Sequence, residues 1–237
     1  MESLRSVPIP FPVPRVATPR RGRVAVFAPH PDDEVAGPGG TIALHRAAGD
    51  PVRAVVVTDG RAGNVDKKLA LADYVALRRR ESREAAEAIG GIDLTFFDYP
   101  DSHVITEEAL ADATARATAW LREAPLPDVA YAPWPGESHT DHAAVGEIAR
   151  RALLAVGFRG TLFGFEVWSP GPADVVIDVS PVAEKKRAAL HCHRSQLVHT
   201  PIDDAILGLN AWRALFLPKG GRFAEGFVTT DFSSAPR

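Results

Sequence analysis

Cysteine is almost absent from this chain, which has only Cys192 and therefore cannot form a disulfide framework of its own. No stretch approaches the roughly 18 uninterrupted apolar residues that a transmembrane helix needs. The beginning of the chain lacks the basic start and the continuous apolar run of a signal peptide. An excess of charge is also missing, since a net charge of −3 gives no support for binding nucleic acid. These absences predict a cytoplasmic protein that neither spans a membrane nor binds nucleic acid.

The overall composition is that of an ordinary globular domain. The chain has 237 residues, of which 46% are hydrophobic and 24% are charged, so it is long enough to bury one core. We predict a single domain over 23–237, preceded by a proline-rich extension over 1–22. Prolines occupy every second position from Pro8 to Pro14, which excludes a helix and favours an extended strap. The strap is expected to pack along the domain or to contact a second copy in a homo-oligomer.

Apolar runs typical of strands alternate with segments of helical periodicity. This alternation favours βαβ units and a parallel sheet. We therefore predict an α/β, Rossmann-like three-layer fold with a mainly parallel sheet and an active site at the strand C-terminal ends. The glycine-rich turn at 37–40 does not match the Gly-x-Gly-x-x-Gly dinucleotide fingerprint. Predicted strands lie near 23–28, 52–57, 93–97, 128–132, 162–168, 175–179 and 226–232, and predicted helices near 39–48, 73–89, 106–123, 141–156, 181–195 and 203–216.

The most informative motif is the polar cluster that follows the first predicted strand. His30, Asp32, Asp33 and Glu34 place one imidazole and three carboxylates within five residues. Carboxylates this close repel one another and are costly to desolvate unless a cation neutralises them. The cluster therefore indicates a metal site, although a single motif of this kind is also typical of a turn with a helix cap.

A second cluster, His139-Thr140-Asp141-His142, follows the predicted strand near 128–132. On its own this segment is equally typical of an exposed helix start capped by Thr140 or Asp141. Two polar clusters that each follow a strand instead predict one cleft built from two loops. Histidine nitrogen and carboxylate oxygen suit zinc, and also Fe²⁺, Mn²⁺ or Co²⁺. Three protein ligands would leave a coordination position for water, as in catalytic zinc sites.

At these residues the chain resembles the PIG-L/LmbE-like family of zinc-dependent N-acetylglucosaminyl deacetylases. The block Pro29–Glu34 is similar to the family signature, and 139–142 is similar to its distal motif. The resemblance spans roughly residues 23 to 196 and continues in order through four weaker motifs: Thr58-Asp59-Gly60, Arg78-x-x-Glu81, Tyr99-x-Asp101-Ser102, and a late segment from Lys186 through His193 to Gln196.

The resemblance implies a role for each matching position. His30, Asp33 and His142 would be the zinc ligands, and Asp32 the general base. His139 would stabilise the oxyanion or protonate the leaving amine, with Asp141 orienting its imidazole. Arg78 and Asp101 would bind sugar hydroxyls. The chemistry agrees, because amide hydrolysis needs an activated water, an adjacent base and a proton for the departing amine.

One feature departs from the family pattern and three others keep two interpretations. Some members carry a tyrosine just before the distal motif, where this chain has Glu137 and Ser138 instead. Glu137 is expected either to contact substrate or to be an exposed loop acid. The polar segment 61–68 is either a lid over the cleft or a plain surface loop. Trp134 and Trp168 are candidates for stacking on a sugar ring, or core residues.

We therefore predict a zinc-dependent hydrolase that removes the N-acetyl group from a small N-acetylglucosamine-type conjugate. Two alternatives remain: a metal-dependent amidase on another acyl amide, such as a thiol conjugate or an antibiotic intermediate, and a non-catalytic sugar- or metal-binding module. Asp32 argues against the binding module, since such a module has no need of a free base beside the ligands.

Overall fold

The computed structural model describes residues 13–233, so most of the proline-alternating extension lies outside the described residues. Within this range eight strands form one sheet. The strands are β1 (Arg15–Ala17), β2 (Val24–Ala28), β3 (Val52–Thr58), β4 (Asp93–Tyr99), β5 (Val129–Pro133), β6 (Thr161–Phe165), β7 (Val175–Asp178) and β8 (Ala224–Asp231). The helices are α1 (Asp33–Ala36), α2 (Gly39–Ala47), α3 (Leu71–Ala88), α4 (Glu107–Arg122), α5 (Thr140–Ala155), α6 (Ala183–Leu190), α7 (Arg194–Leu197) and α8 (Ile202–Arg213), with short 3₁₀ turns at 61–63, 180–182 and 214–216.

The sheet order is β1-β7-β8-β6-β5-β2-β3-β4. Strand β8 runs antiparallel to both of its neighbours, and the other five pairs are parallel. The prediction of an α/β fold with a mainly parallel sheet is therefore confirmed.

Both faces of the sheet are buried, because side chains alternate between them along each strand. In β2, Val24 and Val26 belong to one apolar cluster, whereas Ala25 and Phe27 belong to the other. The first cluster contains residues of α2, α3, α6 and α8, and the second contains residues of α4 and α5. The result is three layers, with the central strands apolar on both sides.

The chain order around β2 creates the crevice in which the candidate site lies. From β2 the chain continues to β3 and β4, which lie on one side of β2 within the sheet. It then returns to β5, which pairs with the other side of β2. In open α/β sheets, ligands bind at the carboxyl ends of strands where the order reverses in this way. The two polar clusters lie at the ends of β2 and β5, on either side of this switch point.

Two predicted elements are shorter than expected. The predicted strand at 162–168 ends at Phe165, because the backbone N–H groups of Val167 and Trp168 donate to the Glu137 carboxylate instead of to a neighbouring strand. The predicted helix at 181–195 is interrupted between Leu190 and Arg194. Among the described residues, no helix is both long and apolar enough to cross a membrane.

Candidate metal centre and active site

Three side chains from the two strand ends converge on one point. His30 follows β2, Asp33 opens α1, and His142 lies in the first turn of α5. The Asp33 Oδ2 atom is 3.0 Å from Nδ1 of His30 and 3.1 Å from Nε2 of His142. One ligand atom from each residue lies within 4.8 Å of those of the other two. The three predicted zinc ligands are thus brought together, although they come from positions 30 to 142.

The electrostatics of this group favour positive charge. Burial alone would lower the pKa of His30, but hydrogen bonds to Asp141 and Asp33 raise it to about 10. For Asp33, burial alone would raise the pKa, but the neighbouring His142 and His30 hold this pKa well below its usual range. His142 is fully buried, and neither of its ring nitrogens has a hydrogen-bond partner of good geometry. An unpartnered buried imidazole beside an ionised carboxylate fits a divalent transition metal.

A second group of three also exists among residues 13–233, formed by His30, His139 and Asp141. Its donor atoms, apart from Nε2 of His139, already have protein partners. The Asp141 carboxylate accepts the Ser102 N–H at 2.9 Å and lies 3.2 Å from Nε2 of His30. Nδ1 of His139 accepts the backbone N–H of Asp141 at 3.2 Å. The group with the unpartnered His142 is therefore the better metal site.

Asp32 lies next to the metal group, on the wall of the same cavity. Its residue is 8% exposed, and its Oδ2 accepts a hydrogen bond from Nη2 of Arg78 at 3.0 Å. Burial raises the pKa of Asp32 to about 6, against the opposing effect of the Arg78 guanidinium. A carboxylate with a pKa in this range is ionised at neutral pH and basic enough to accept a proton from water.

The two predicted substrate-binding residues line the cavity but also have protein partners. Nη2 of Arg78 donates to the Pro31 carbonyl at 2.8 Å as well as to Asp32. The Asp101 carboxylate accepts the N–H groups of Gly60 and Ala62 at 2.9 and 2.7 Å. Gly60 has φ +70°, and a Cβ there would meet Pro31 at 2.9 Å, so glycine suits this turn. In this arrangement Asp101 holds the loop that carries Gly60, and Arg78 holds the base.

His139 and Asp141 are placed differently from the predicted pairing. The Asp141 carboxylate contacts His30 and Ser102, and only the Asp141 backbone N–H reaches His139. Burial, followed by the charge at His30, lowers the pKa of His139. Because Nδ1 of His139 accepts a hydrogen bond, its proton belongs on Nε2. The His139 imidazole is therefore suited to act as a neutral hydrogen-bond donor.

Glu137 is neither an exposed loop acid nor part of the cavity wall. Its residue is 6% exposed, and its carboxylate accepts the backbone N–H groups of Val167, Trp168 and Ser169 at 2.7, 3.1 and 3.3 Å. The same carboxylate lies 3.6 Å from Nδ1 of His142. In the sequence, Glu137 stands out only because it lies two residues before His139, and this position does not predict these contacts.

Sequence reasoning also missed or left open several residues in or near the site. His193 is buried, neither of its ring nitrogens has a hydrogen-bond partner, and burial lowers its pKa to about 3. Trp168 lines the cavity, whereas the indole N–H of Trp134 donates to the Ser169 carbonyl and supports the neighbouring loop. The space in and above the cavity, open solvent included, is about 750 Å³, and its lining also includes Ala62, Gly63, Val65, Trp168, Gln196, His199, Thr200 and Ile202.

Comparisons with known proteins place the chain among de-N-acetylases. A sequence model of the PIG-L family, described as GlcNAc-PI de-N-acetylase, matches residues 25–153. A probable N-acetyl-alpha-D-glucosaminyl L-malate deacetylase 2 from Bacillus cereus is 32% identical over 186 residues, covering 73% of this chain and 83% of the relative. A diacetylchitobiose deacetylase from Thermococcus kodakarensis is 28% identical over 193 residues, covering 73% and 70%.

A solved structure extends the similarity to the fold. The N,N'-diacetylchitobiose deacetylase from Pyrococcus horikoshii, in complex with its inhibitor MPG, matches with a TM-score of 0.70 and 27% identity. The match covers 89% of this chain and 84% of that one. These relatives and this structural neighbour are deacetylases, which are hydrolases acting on amide bonds.

Proposed function

This chain belongs to the PIG-L family of de-N-acetylases, and from that membership we propose that it is a metal-dependent hydrolase of N-acetylglucosamine conjugates. The resemblance predicted from residues 29–34 and 139–142 is confirmed, as is the prediction of a deacetylase. The single observation that best supports the proposal is the position of Asp32. This ionisable base lies on the wall of the cavity and next in sequence to Asp33 of the ligand group.

His30, Asp33 and His142 would hold the metal, with zinc as the first candidate and Fe²⁺, Mn²⁺ or Co²⁺ as alternatives. When bound, the ion supplies Lewis acidity toward the acyl oxygen and lowers the pKa of water. Nitrogen and carboxylate donors suit all four of these ions.

Asp32 would take the proton of the attacking water on its carboxylate. Arg78 supports this role. Burial raises the pKa of Asp32 to about 6, and the Arg78 guanidinium limits this rise, so the carboxylate stays ionised at neutral pH. Once protonated, the Asp32 carboxyl group would return this proton to the departing amine. Asp32 would then serve as both the base and the acid, and it would end the turnover in the ionised state in which it began.

His139 would stabilise the tetrahedral oxyanion rather than protonate the amine. Two observations support this choice between the alternatives that the sequence leaves open. Its pKa is lowered by burial and by His30, so the ring is neutral at pH 7. Its Nδ1 accepts the Asp141 N–H, which leaves Nε2–H as the donor. A hydrogen-bond donor placed in advance at a developing negative charge is a major source of rate enhancement.

The test compares Asp32→Asn and His142→Ala with an exposed control on α3, Asp73→Asn. Metal content is measured by mass spectrometry, and released amine is measured with diacetylchitobiose and the N-acetylglucosaminyl malate conjugate. We expect Asp32→Asn to keep the metal and lose hydrolysis, His142→Ala to lose the metal, and the control to keep both. Full activity of Asp32→Asn would contradict the assignment of the base, and full metal occupancy of His142→Ala would contradict the ligand set.

A further inference from the structure

The charged groups of the cavity are concentrated at its floor, and its entrance is lined by a different kind of residue. We call this entrance the rim and define it as Val65, Trp168, His199, Thr200 and Ile202. Val65 is 66% exposed and Trp168 is 53% exposed, so both present apolar surface to whatever enters the cavity. A substrate whose acetamido group reaches the floor must pass its carrier group, the part beyond the sugar, across this rim.

The rim contains no lysine or arginine. Of the three cations at 61–68, Arg61 and Lys68 are paired, and the exposed Lys67 is not among the residues that line the cavity. The Arg61 guanidinium makes two hydrogen bonds of 2.9 Å to Asp59 from its Nε atom. Lys68 lies 2.6 Å from Asp66, and the same Asp66 carboxylate is 3.9 Å from Nε2 of His199. Binding a carboxylate group normally requires arginine or lysine donors free to contact it. An anionic carrier would instead meet the Asp66–Lys68 ion pair beside His199.

The backbone that carries the exposed Trp168 ring is fixed by hydrogen bonds. The backbone N–H groups of Val167, Trp168 and Ser169 converge on the buried Glu137 carboxylate. The Trp168 ring centroid lies 5.9 Å from that of His139, with 30° between the ring planes. An anchored indole beside the reacting group offers a flat apolar face to whatever is attached to the sugar.

We infer that the carrier attached to the N-acetylglucosamine unit is neutral and ring-shaped, with an apolar face that stacks on Trp168. A second pyranose has this chemistry and a dicarboxylate such as malate does not. The inference rests on the proposed function, and it separates this chain from its malate-type relative even though the two are 32% identical.

The first experiment measures kcat/KM of the metal-loaded protein for diacetylchitobiose and for the N-acetylglucosaminyl malate conjugate. We expect the neutral substrate to be preferred by about tenfold or more, the ratio that one missing charged hydrogen bond produces. Equal values, or a preference for malate, would overturn the inference. Binding of both compounds to Asp32→Asn is measured in parallel by calorimetry. If neither compound is hydrolysed, the proposed function fails, and the binding ratio alone then decides the nature of the carrier.

Two rim variants test the residues themselves. Trp168→Ala should raise KM for diacetylchitobiose, Trp168→Phe should restore most of the loss, and Trp212→Ala, an exposed tryptophan of α8 outside this cavity, should change neither constant. Val65→Arg should improve kcat/KM for the malate conjugate, whereas Val65→Gln, which adds no charge, should not. An unchanged KM for Trp168→Ala, or equal effects of the two Val65 variants, would contradict the inference.

Discussion

Nη2 of Arg78 donates to Oδ2 of Asp32 across 3.0 Å, and both residues are buried. The arginine comes from the middle of α3, 46 positions after the aspartate. A buried cation next to a buried carboxylate lowers the pKa of that carboxylate and fixes its orientation. Arg78 therefore acts on the base, whatever contact it also makes with a sugar.

Arg78→Gln is expected to move the acidic limb of the activity profile to higher pH. Burial raises the Asp32 pKa to about 6 and Arg78 opposes that rise, so its removal raises the pKa further. Asp32 can accept a proton only when ionised, hence activity at low pH falls first. We expect the acidic limb of kcat/KM to shift by about one unit.

The matched control is Arg80→Gln, an exposed arginine two residues further along the same helix. Its profile should coincide with that of the unaltered protein. An Arg78→Gln variant that raises KM while leaving the pH profile in place would instead show that Arg78 binds sugar without acting on the base.

Glu137→Gln is expected to weaken metal binding. The Glu137 carboxylate is 3.6 Å from Nδ1 of His142 and fixes the loop that carries Trp168. A carboxylate close to a metal-bound imidazole increases the basicity of that ligand, and the loss of such a neighbour typically costs tenfold or more in affinity, so we expect a loss of about tenfold. Competition with a chelating dye measures this change. Glu108→Gln, exposed at the start of α4, is the control, and an affinity equal to that of the control would refute the role of Glu137.

Glu34 should make the stability of the chelator-treated protein depend on pH. Burial, and then the charge of Asp32, raises the pKa of Glu34 from 4.5 to about 8. Between these two pH values the folded state holds a proton that the unfolded state releases. The stabilising contribution of Glu34 to the free energy of unfolding is therefore fully present below pH 4.5 and is lost as pH rises toward 8.

Glu34→Gln keeps a neutral side chain of the same shape and should flatten that part of the profile. Urea unfolding of both proteins across this pH range measures the difference. Parallel curves for the two proteins would mean that Glu34 titrates alike in the folded and unfolded states.

Lys186→Met should destabilise the fold without changing the floor of the cavity. The buried Nζ of Lys186 lies 2.7 Å from the Glu225 carboxylate, which also accepts the N–H groups of Gly40 and Thr41. Removing one partner leaves a buried charge, at a cost of about 3 kcal/mol in the free energy of unfolding. The cost stays at this level because Glu225 retains two backbone donors.

The double variant Lys186→Met with Glu225→Gln should recover part of this loss, since no unpaired charge remains. Urea denaturation of the single and double variants measures both effects. A double variant less stable than Lys186→Met would show that the Glu225 charge acts mainly on the start of α2.

Much of the fold could be read from local periodicity. The apolar runs at 24–28 and 129–133 became adjacent parallel strands, and their polar continuations met as predicted. The strand predicted near 162–168 ends earlier than expected. The reason is that Glu137, which is distant in sequence, accepts the hydrogen bonds of the Val167 and Trp168 N–H groups. Strand termination by a remote side chain leaves no local signal.

The sequence by itself determined which chemistry the molecule carries, because ligand type, strand ends and spacing are local properties. Only the tertiary structure decided which side chains of the site contact one another. The Asp141 carboxylate contacts His30, 111 positions away, rather than the nearby His139, and Arg78 reaches Asp32. Such pairings depend on strand order and on the faces that helices present across the sheet. Those relations arise only when the whole core packs, since side-chain periodicity fixes direction but not the distant neighbour.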